Sequence, residues 1–451
     1  MKLQLLIFLP IFCYFSQASE PQPNFIIIFT DDQGYQDVGC YGSPDIKTPH
    51  LDQMANEGAK FTSFYAQTVC GPSRAALMTG SYPLRTKWLN EDNNPHPELA
   101  SSEVTIAEVL KPLGYTNYMV GKWDLAGHSQ TTFKMELSPE NQGFDHSLWT
   151  PASNDSSVNL YESSQLVKKN APMPCLTKTY TDKAISYIKN HDHDTPFFLY
   201  LAHTMPHTKL GASNKFKGKS KGGLYGDVIE EIDYNTGRIL SELDHLNLSD
   251  HTYVIFTSDN GPWWVKKQHG GHCEPLRGAK TSCFEGGVRV PCIIKAPGKI
   301  KPGSTHDAVC ATIDLLPTIA EIAGTTPPSD RTIDGISLAS LWHGETATTE
   351  RSYYYYQDSS LRAVRVGDWK LHQPHSKKDM SGWTPKWMKH VAPNDRVIFK
   401  EYALYNLKTD IEESSNVAKE HPEVVEKLMQ ELDFAKQDIG YNDIIGANSR
   451  R

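Results

Sequence analysis

Continuous runs of apolar residues predict the strands of a buried sheet. The longest runs lie at 24–30, 195–202 and 252–258, and shorter ones lie at 115–120 and 292–295. Runs of this length, rich in β-branched and aromatic residues, are typical of parallel strands that are covered on both faces. The pattern therefore predicts an α/β fold with a large mixed, mostly parallel sheet.

Apolar residues with helical spacing predict four helices between or after these strands. They lie at 48–58, 70–79, 102–110 and 420–436. Proline near the start of a helix and glycine after its end are the usual boundary signals. Pro72 is expected to occupy the first position of the second helix.

The pattern changes near residue 350, where short strands separated by turns replace the long apolar runs. These short strands are predicted at 353–356, 363–366 and 402–407. A chain of 451 residues also exceeds the roughly 250 to 300 residues that a single core usually reaches. We expect a large domain over 20–345 and a smaller C-terminal unit, an antiparallel sheet plus a helix, over 346–451.

The first residues have the features of a secretory signal peptide. Lys2 precedes a short apolar run that ends at Phe15, and small residues follow through Ser19. This run is too short to span a bilayer, and no later stretch has the length and composition of a membrane span. We expect residues 1–19 to be removed during export to the periplasm, the lysosome or the extracellular space, depending on the host.

The formal net charge of −8 argues against nucleic acid as a partner. Binding to a phosphate backbone normally requires a clear excess of basic residues. Any anionic substrate of this protein must therefore be bound by local positive charge.

The cysteines leave two alternatives open. Removal of Cys13 with the leader leaves seven cysteines, and six remain if Cys70 is chemically converted. Six cysteines can form disulfides in fifteen ways, but buried unpaired thiols are an equal alternative, above all for Cys292 in its apolar strand. No C-x-x-C pair indicates a zinc site.

Acidic residues follow two of the predicted strands directly. Asp31 and Asp32 come after the first strand, and Asp259 and Asn260 come after the strand at 252–258. The carboxyl ends of parallel strands meet at one edge of a sheet, where ligands bind. Three carboxylates and an amide oxygen form a site for a hard divalent ion, Ca²⁺ more easily than Mg²⁺. Either pair alone is also typical of a turn or an Asx cap, and Asp259-Asn260-Gly261 by itself would favour a turn.

A reactive group is expected at Cys70, where the N-terminus of a helix favours negative charge. The string Cys70-Gly71-Pro72-Ser73-Arg74, followed by Leu77-Met78-Thr79-Gly80, resembles the signature of the sulfatase family. In that family the cysteine is oxidised to formylglycine (3-oxoalanine), an aldehyde that hydrates to a geminal diol. The resemblance extends over nearly the whole mature chain, including 276–280, 285–291 and 403–407, and implies an alkaline-phosphatase-like sandwich.

The resemblance implies a role for each matching residue. The chain would hydrolyse sulfuric esters, and a formylglycine-generating enzyme would be its partner during maturation. The hydrated aldehyde would attack sulfur, Lys122 and Lys280 would offset charge on the sulfuryl oxygens, and His207 would protonate the leaving alcohol. The metal ligands would be Asp31, Asp32, Asp259, Asn260 and residue 70, and Arg74 would hold the hydrated aldehyde.

One motif departs from the family pattern. The family string G-K-W-H-L-G is replaced here by Gly121-Lys122-Trp123-Asp124-Leu125-Ala126-Gly127-His128. In the family that histidine is thought to accept the proton that lets the sulfate leave. We expect Asp124, alone or by orienting His128 on a helical segment, to fill this role; a binding protein with an impaired site is the alternative.

Two basic or aromatic loops favour a sulfated carbohydrate as substrate. Trp263 and Trp264 would either stack on a sugar or anchor their own loop. A glycine- and serine-containing loop after His207 carries five lysines, which would either bind further anionic groups of the substrate or remain solvated. They are Lys209, Lys215, Lys217, Lys219 and Lys221. His203 is expected only to support the site. The alternatives are an arylsulfatase for small esters, a phosphate or phosphonate monoester hydrolase, and a protein in which Cys70 stays a thiol.

Overall fold

The computed structural model describes residues 22–86, 98–345, 351–375 and 399–450. The predicted signal peptide, 1–19, lies outside these residues. The described strands, in chain order, are β1 (Asn24–Thr30), β2 (Ala59–Tyr65), β3 (Thr116–Lys122), β4 (His146–Thr150), β5 (Val158–Glu162), β6 (Gln165–Ala171), β7 (Phe197–Ala202), β8 (Thr252–Ser258), β9 (Arg289–Lys295), β10 (Ser304–His306), β11 (Cys310–Ala311), β12 (Ser352–Gln357), β13 (Ser360–Val366), β14 (Trp369–His372), β15 (Ala403–Asn406), β16 (Gly440–Tyr441) and β17 (Ile444–Ile445).

The large sheet has eleven strands, ten of them in the order β10-β2-β9-β8-β1-β7-β3-β4-β5-β6, and β11 also pairs with β2. The five central strands, β8-β1-β7-β3-β4, run parallel. The strand β9 is antiparallel to both of its neighbours, and β5 and β6 form an antiparallel edge. The predicted mixed, mostly parallel sheet is confirmed.

Helices cover both faces of this sheet. The described helices, in chain order, are α1 (Pro49–Glu57), α2 (Cys70–Thr79), α3 (Ile106–Leu110), α4 (Leu176–Asn190), α5 (Gly223–His245), α6 (Glu285–Val288), α7 (Leu315–Ile322), α8 (Ala339–Trp342) and α9 (Pro422–Asp438). Of these, α9 packs on the second sheet, which is described below. Alternate residues of β1 point to opposite layers: Phe25 and Ile27 pack in the core with α2, α3 and α7, and Ile26 packs in the core with α1, α4 and α5. Because all of β1 is buried, its carboxyl end delivers Asp31 and Asp32 into the interior.

Two helix predictions need correction. The helix predicted at 102–110 begins only at Ile106, because Thr105 caps it: the Thr105 hydroxyl accepts from the Glu108 N–H, and the Glu108 carboxylate accepts from the Thr105 N–H. In α2, Pro72 is the third residue and not the first. Proline is tolerated there because the first four N–H groups of a helix have no partner within it.

A second, four-stranded antiparallel sheet, β12-β13-β14-β15, packs with α9 around a core that it shares with the large domain, which contributes residues such as Tyr65 and Ala76. This sheet begins at Ser352, and residues 346–350 lie outside the described part. The division into units at 345 and 346 therefore stays a prediction. In the described part of the chain, none of the helices combines the length and the apolar composition that crossing a membrane requires.

Seven cysteines lie in the described residues, and no disulfide joins any two of them. Cys292 and Cys310 are fully buried in the core beneath the sheet. This agrees with the alternative of cysteines without disulfides, above all for Cys292.

Candidate active site

The carboxyl ends of four neighbouring strands deliver the predicted site residues to one place. Asp31 follows β1, Lys122 ends β3, His207 follows β7 and Asp259 follows β8, and all four are buried. The Asp32 N–H donates to the Asp259 carboxylate at 3.0 Å, which joins the first and last of these loops directly. The sheet therefore brings together residues that lie more than 200 positions apart in the chain.

Cys70 lies beside the acidic residues. One ligand atom each of Asp31, Cys70 and Asp259 falls within 4.8 Å of the others. Cys70 is the first residue of α2, and Ser73 in the same turn donates its hydroxyl hydrogen to the Asp259 carbonyl oxygen. Burial, offset in part by Lys122, raises the pKa of the Cys70 thiol to about 12, so an unmodified thiol would stay protonated at neutral pH.

Three oxygens in this cluster are buried without a hydrogen-bond partner. They are Oδ1 of Asp31, Oδ2 of Asp32 and Oδ1 of Asn260. The amide nitrogen of Asn260 donates to the other Asp32 oxygen at 2.8 Å, which leaves the Asn260 oxygen as the available atom. Unpartnered buried oxygens are costly, and a donor set made only of oxygens suits a hard divalent cation, so these residues fit one.

Three cationic side chains surround the acidic residues. The closest contacts are Lys122 Nζ to Asp31 at 2.8 Å, an Arg74 nitrogen to Asp259 at 2.8 Å and Lys280 Nζ to Asp32 at 2.6 Å. Burial alone would raise the pKa of Asp31, but Lys122 and the other cations bring it below its usual range. Burial and the charge of Asp31 raise the pKa of Asp259 to about 8. A bound cation would ionise Asp259, so the site favours additional positive charge.

The recorded contacts of Arg74 are with groups other than Cys70, such as the Asp259 carboxylate, and its role at residue 70 stays a prediction. Its guanidinium also donates to the Lys122 carbonyl oxygen at 3.0 Å and to the Tyr200 hydroxyl at 3.3 Å. These contacts orient Asp259 and the end of β3. The sequence did not indicate Tyr200 as a site residue. It did not indicate Ser153 either, whose hydroxyl accepts a hydrogen bond from Lys122 Nζ at 2.7 Å. Neither residue lies in a motif that carried the family resemblance.

Asp124 and His128 are in direct contact. The Asp124 Oδ1 and His128 Nδ1 atoms are 2.5 Å apart, and Lys122 Nζ is 3.4 Å from the other Asp124 oxygen. The segment is not helical, contrary to the expectation; instead Asp124 has a left-handed backbone with φ of 58°. Burial opposes ionisation, but His128 and Lys122 together hold the pKa of Asp124 well below its usual range. An ionised Asp124 is a weak base, which favours the role of orienting His128.

His207 is buried, and Asn154 contacts both its ring and its backbone. Its Nδ1 lies 3.1 Å from the Asn154 side-chain oxygen, while the Asn154 amide nitrogen donates to the His207 carbonyl oxygen at 2.9 Å. The other ring nitrogen, Nε2, lies 3.7 Å from Asp32. Burial lowers the pKa of His207 despite the charge of Asp32. His203 packs instead against Tyr180 of α4, and burial lowers its pKa to about 3.

Comparison with known proteins identifies the family. The family model described as Sulfatase matches residues 23–325, which is most of the chain. The protein belongs to the sulfatase family. A second model, for the C-terminal part of N-sulphoglucosamine sulphohydrolase, matches residues 279–438. As a sulfatase, the protein is a sulfuric ester hydrolase, and the family generally uses formylglycine and a divalent metal.

Individual relatives agree with this assignment. The chain is 36% identical to N-acetylgalactosamine-6-sulfatase of Mus musculus over 84% of this chain and 76% of that protein. It is 34% identical to arylsulfatase A of Homo sapiens over 90% of this chain and 86% of that protein. A solved structure from work on the metabolism of multiple glycosaminoglycans by Bacteroides thetaiotaomicron covers 92% of this chain and 99% of its own, with 29% identity and a TM-score of 0.79. The predicted alkaline-phosphatase-like sandwich is confirmed.

The predicted substrate-binding residues of this sulfatase separate into two groups. Trp263 lies at the site, with its ring 5.1 Å from the His207 ring. Trp264 packs instead into a small cluster with Tyr35 and Leu276, as a loop anchor does. Lys209 is exposed, and its backbone nitrogen and oxygen are bonded to Asn154 close to His207.

The rest of the lysine loop turns toward α5. Lys215 Nζ lies 3.1 Å from the centre of the Tyr234 ring, and the Asp227 carboxylate accepts from the N–H groups of Gly218, Lys219 and Ser220. Lys217, Lys219 and Lys221 are exposed. No contact in the described structure joins these lysine side chains to the site, and their binding of substrate stays a prediction.

We expect Asp124→Asn and His128→Ala each to lower kcat about a hundredfold, because the two side chains act as one unit in proton transfer. The double variant should then be no slower than the worse single variant. Steady-state sulfate release gives these values, and His146→Ala, which removes an exposed histidine at the start of β4, serves as the control. Full activity in both single variants would show that the pair has no catalytic role.

The C-terminal sheet anchors the loop that carries Lys280. Glu413, between β15 and α9, accepts from the Glu285 N–H at 2.7 Å through its side chain and from Arg277 at 2.7 Å through its carbonyl oxygen. Lys370 of β14 lies 2.8 Å from Glu413 and also donates to the Cys283 carbonyl oxygen at 2.8 Å. Both ends of the segment 277–285 are thus held by buried groups of the second sheet.

Glu413→Ala should therefore affect both stability and sulfate binding. We expect a loss of about 3 kcal/mol in the free energy of unfolding, since Lys370 keeps a buried charge with one partner fewer. Inhibition by inorganic sulfate should weaken several-fold because Lys280 is held less firmly. Urea unfolding and product inhibition measure the two effects. Asp334→Ala breaks the buried pair with Arg85 and should change stability alone; an equal loss of sulfate inhibition there would contradict the anchoring role of Glu413.

Proposed function

We propose that this sulfatase removes sulfate from a sulfated carbohydrate, with formylglycine formed from Cys70 and a bound Ca²⁺ ion. The observation that carries the proposal is the position of Cys70: it begins α2 and lies within 4.8 Å of two buried carboxylates. Lys122 and Lys280 flank the same carboxylates. Formylglycine at this position would supply a hydrated aldehyde: one hydroxyl would replace the alcohol on sulfur as the ester O–S bond breaks, and loss of the proton from the other hydroxyl would release sulfate and restore the aldehyde.

Other residues of the chain have separate roles in the proposed reaction. Lys122 and Lys280 place two positive charges where the sulfuryl oxygens gain negative charge. We assign to His207, in its imidazolium form, the donation of a proton to the departing alcohol, and Asn154 sets the orientation of its ring. Asp124 contacts His128 at Nδ1, and we assign to this pair the proton transfer that accompanies release of the sulfate.

The choice of Ca²⁺ rests on the donor atoms. Asp31, Asp32 and Asn260 each offer an unpartnered oxygen, and Asp259 offers a carboxylate that Arg74 also binds. Such a crowded and irregular oxygen set suits Ca²⁺ better than Mg²⁺, which demands near-ideal octahedral geometry.

The carbohydrate substrate is supported by the relatives. One acts on N-acetylgalactosamine 6-sulfate by name, and a solved relative comes from work on glycosaminoglycan metabolism. Arylsulfatase A is also similar, so a small aryl sulfate is the second candidate. The N-terminal segment 1–19 adds export as a further part of the proposal, with maturation by a formylglycine-generating enzyme.

The proposal is tested with matched esters. Purified protein, produced with a formylglycine-generating enzyme, is assayed for inorganic sulfate released from defined monosulfated sugars, for turnover of an aryl sulfate, and for phosphate released from the corresponding phosphate esters. We expect sulfate release from at least one sugar at a higher kcat/KM than from the aryl ester. Preferred phosphate release, or a peptide mass that shows an intact Cys70 thiol in active protein, would refute it.

A further inference from the structure

Two ammonium groups share the ring of Trp263. Lys280 Nζ lies 4.6 Å from the ring centroid, and Lys266 Nζ lies 4.0 Å from it. The two nitrogens are consequently at most about 9 Å apart. Cation–π attraction toward the tryptophan ring holds each of them in place.

The two lysines differ in their acidic partners. Lys280 is paired with Asp32 at 2.6 Å and is buried, as a residue of the reaction centre would be. Lys266 is half-buried, and no carboxylate of the described residues lies within ion-pair distance of it. Within the described part of the chain, its charge at the edge of the site therefore has no acidic partner, although the formal net charge of the protein is −8.

Trp263 also places this charge on the side of the leaving group. Its ring contacts the ring of His207, the residue to which the proposed function assigns protonation of the departing alcohol. The sugar that carries the sulfate ester must lie against His207, so a second substituent of that sugar or of its neighbour reaches toward Lys266. An ammonium group binds sulfate or carboxylate best when it is partly desolvated and has no other acid to pair with.

We propose that Lys266, supported by Trp263, forms a second anion subsite that selects substrates with another sulfate or carboxylate group within about 9 Å of the sulfate bound at Lys280. This inference rests on the proposed function, and it narrows the substrate to a sugar with at least two anionic groups. The charged loop at 209–221 fits this role less well, because Lys215 already lies over Tyr234.

The chain offers a matched control for the test. Lys267 is the next residue, is exposed, and has no ion pair among the described residues. Binding is measured by calorimetry in the Cys70→Ala background, so that the ligands are not turned over and the result does not depend on formylglycine. The probes are N-acetylgalactosamine 6-sulfate and N-acetylgalactosamine 4,6-disulfate, which differ by one sulfate group.

We expect the disulfate to bind about tenfold more tightly than the monosulfate. This ratio of the two affinities should fall as salt is added. Lys266→Ala should abolish the ratio by weakening only the disulfate, Lys266→Arg should keep it, and Lys267→Ala should leave it unchanged. Equal binding of the two probes, no binding of either, or the same loss in Lys267→Ala would overturn the subsite. Absence of sulfate release by the native protein would instead refute the proposed function, because the binding measurement does not require turnover.

Discussion

Cys70→Ala is expected to reduce sulfate release at least about a thousandfold. The variant removes the side chain from which the nucleophile is made, at the point where α2 meets two carboxylates of the acidic cluster. Alanine fits the buried position and keeps the helix, so the thermal unfolding temperature should change little. Steady-state assays with a sulfate ester, together with a thermal melt, measure both quantities.

Cys310→Ala provides the matched control. Cys310 is also buried and free, but it lies on β11 and pairs with Phe64 at the outer part of the sheet. Its replacement should leave kcat unchanged and lower stability slightly. If Cys70→Ala kept wild-type activity, or if both cysteine variants lost activity equally, residue 70 would not be the source of the nucleophile.

The second large effect is expected for Asp31→Asn. Asp31 accepts from Lys122, lies 3.9 Å from Arg74, and has one buried oxygen without a partner. The amide removes one negative charge from a cluster that surrounds the proposed cation, so the apparent affinity for Ca²⁺ should fall at least about a hundredfold. Activity should fall in parallel at low Ca²⁺ and be restored in part by excess Ca²⁺.

Calcium titration of the chelator-treated protein, followed by activity and by calorimetry, measures this effect. Asp314→Asn is a suitable comparison, because Asp314 is equally buried and is paired with Arg351 away from the site. That variant should lose stability but keep its calcium affinity. Unchanged activity of the wild-type protein after exhaustive chelation would contradict a metal-dependent reaction.

The central strands could be predicted from the sequence because they are buried on both faces. The runs at 24–30 and 252–258 correspond to β1 and β8 residue for residue. Since parallel strands end at the same edge of a sheet, the meeting of Asp31 with Asp259 also followed from local sequence. The family strings at Cys70 and Lys122 added the chemistry.

Other features of the site depend on contacts between distant segments. Asp124 meets His128 through a left-handed backbone and not along a helix, and no periodicity in the segment indicates this. Ser153 and Asn154 reach the site from the loop after β4, a strand that the apolar pattern did not reveal. Glu413 acts on the loop of Lys280 from the other sheet.

The sequence by itself determined the central parallel strands, the acidic residues at their ends and the sulfatase signature, because each depends on residue type over a few neighbouring positions. Only the tertiary structure decided which nitrogen of His207 faces Asp32, which oxygens of the acidic residues remain available to a cation, and that Lys266 has no acidic partner among the described residues. These properties depend on hydrogen bonds and charges between segments far apart in the chain, and a local pattern contains no information about them.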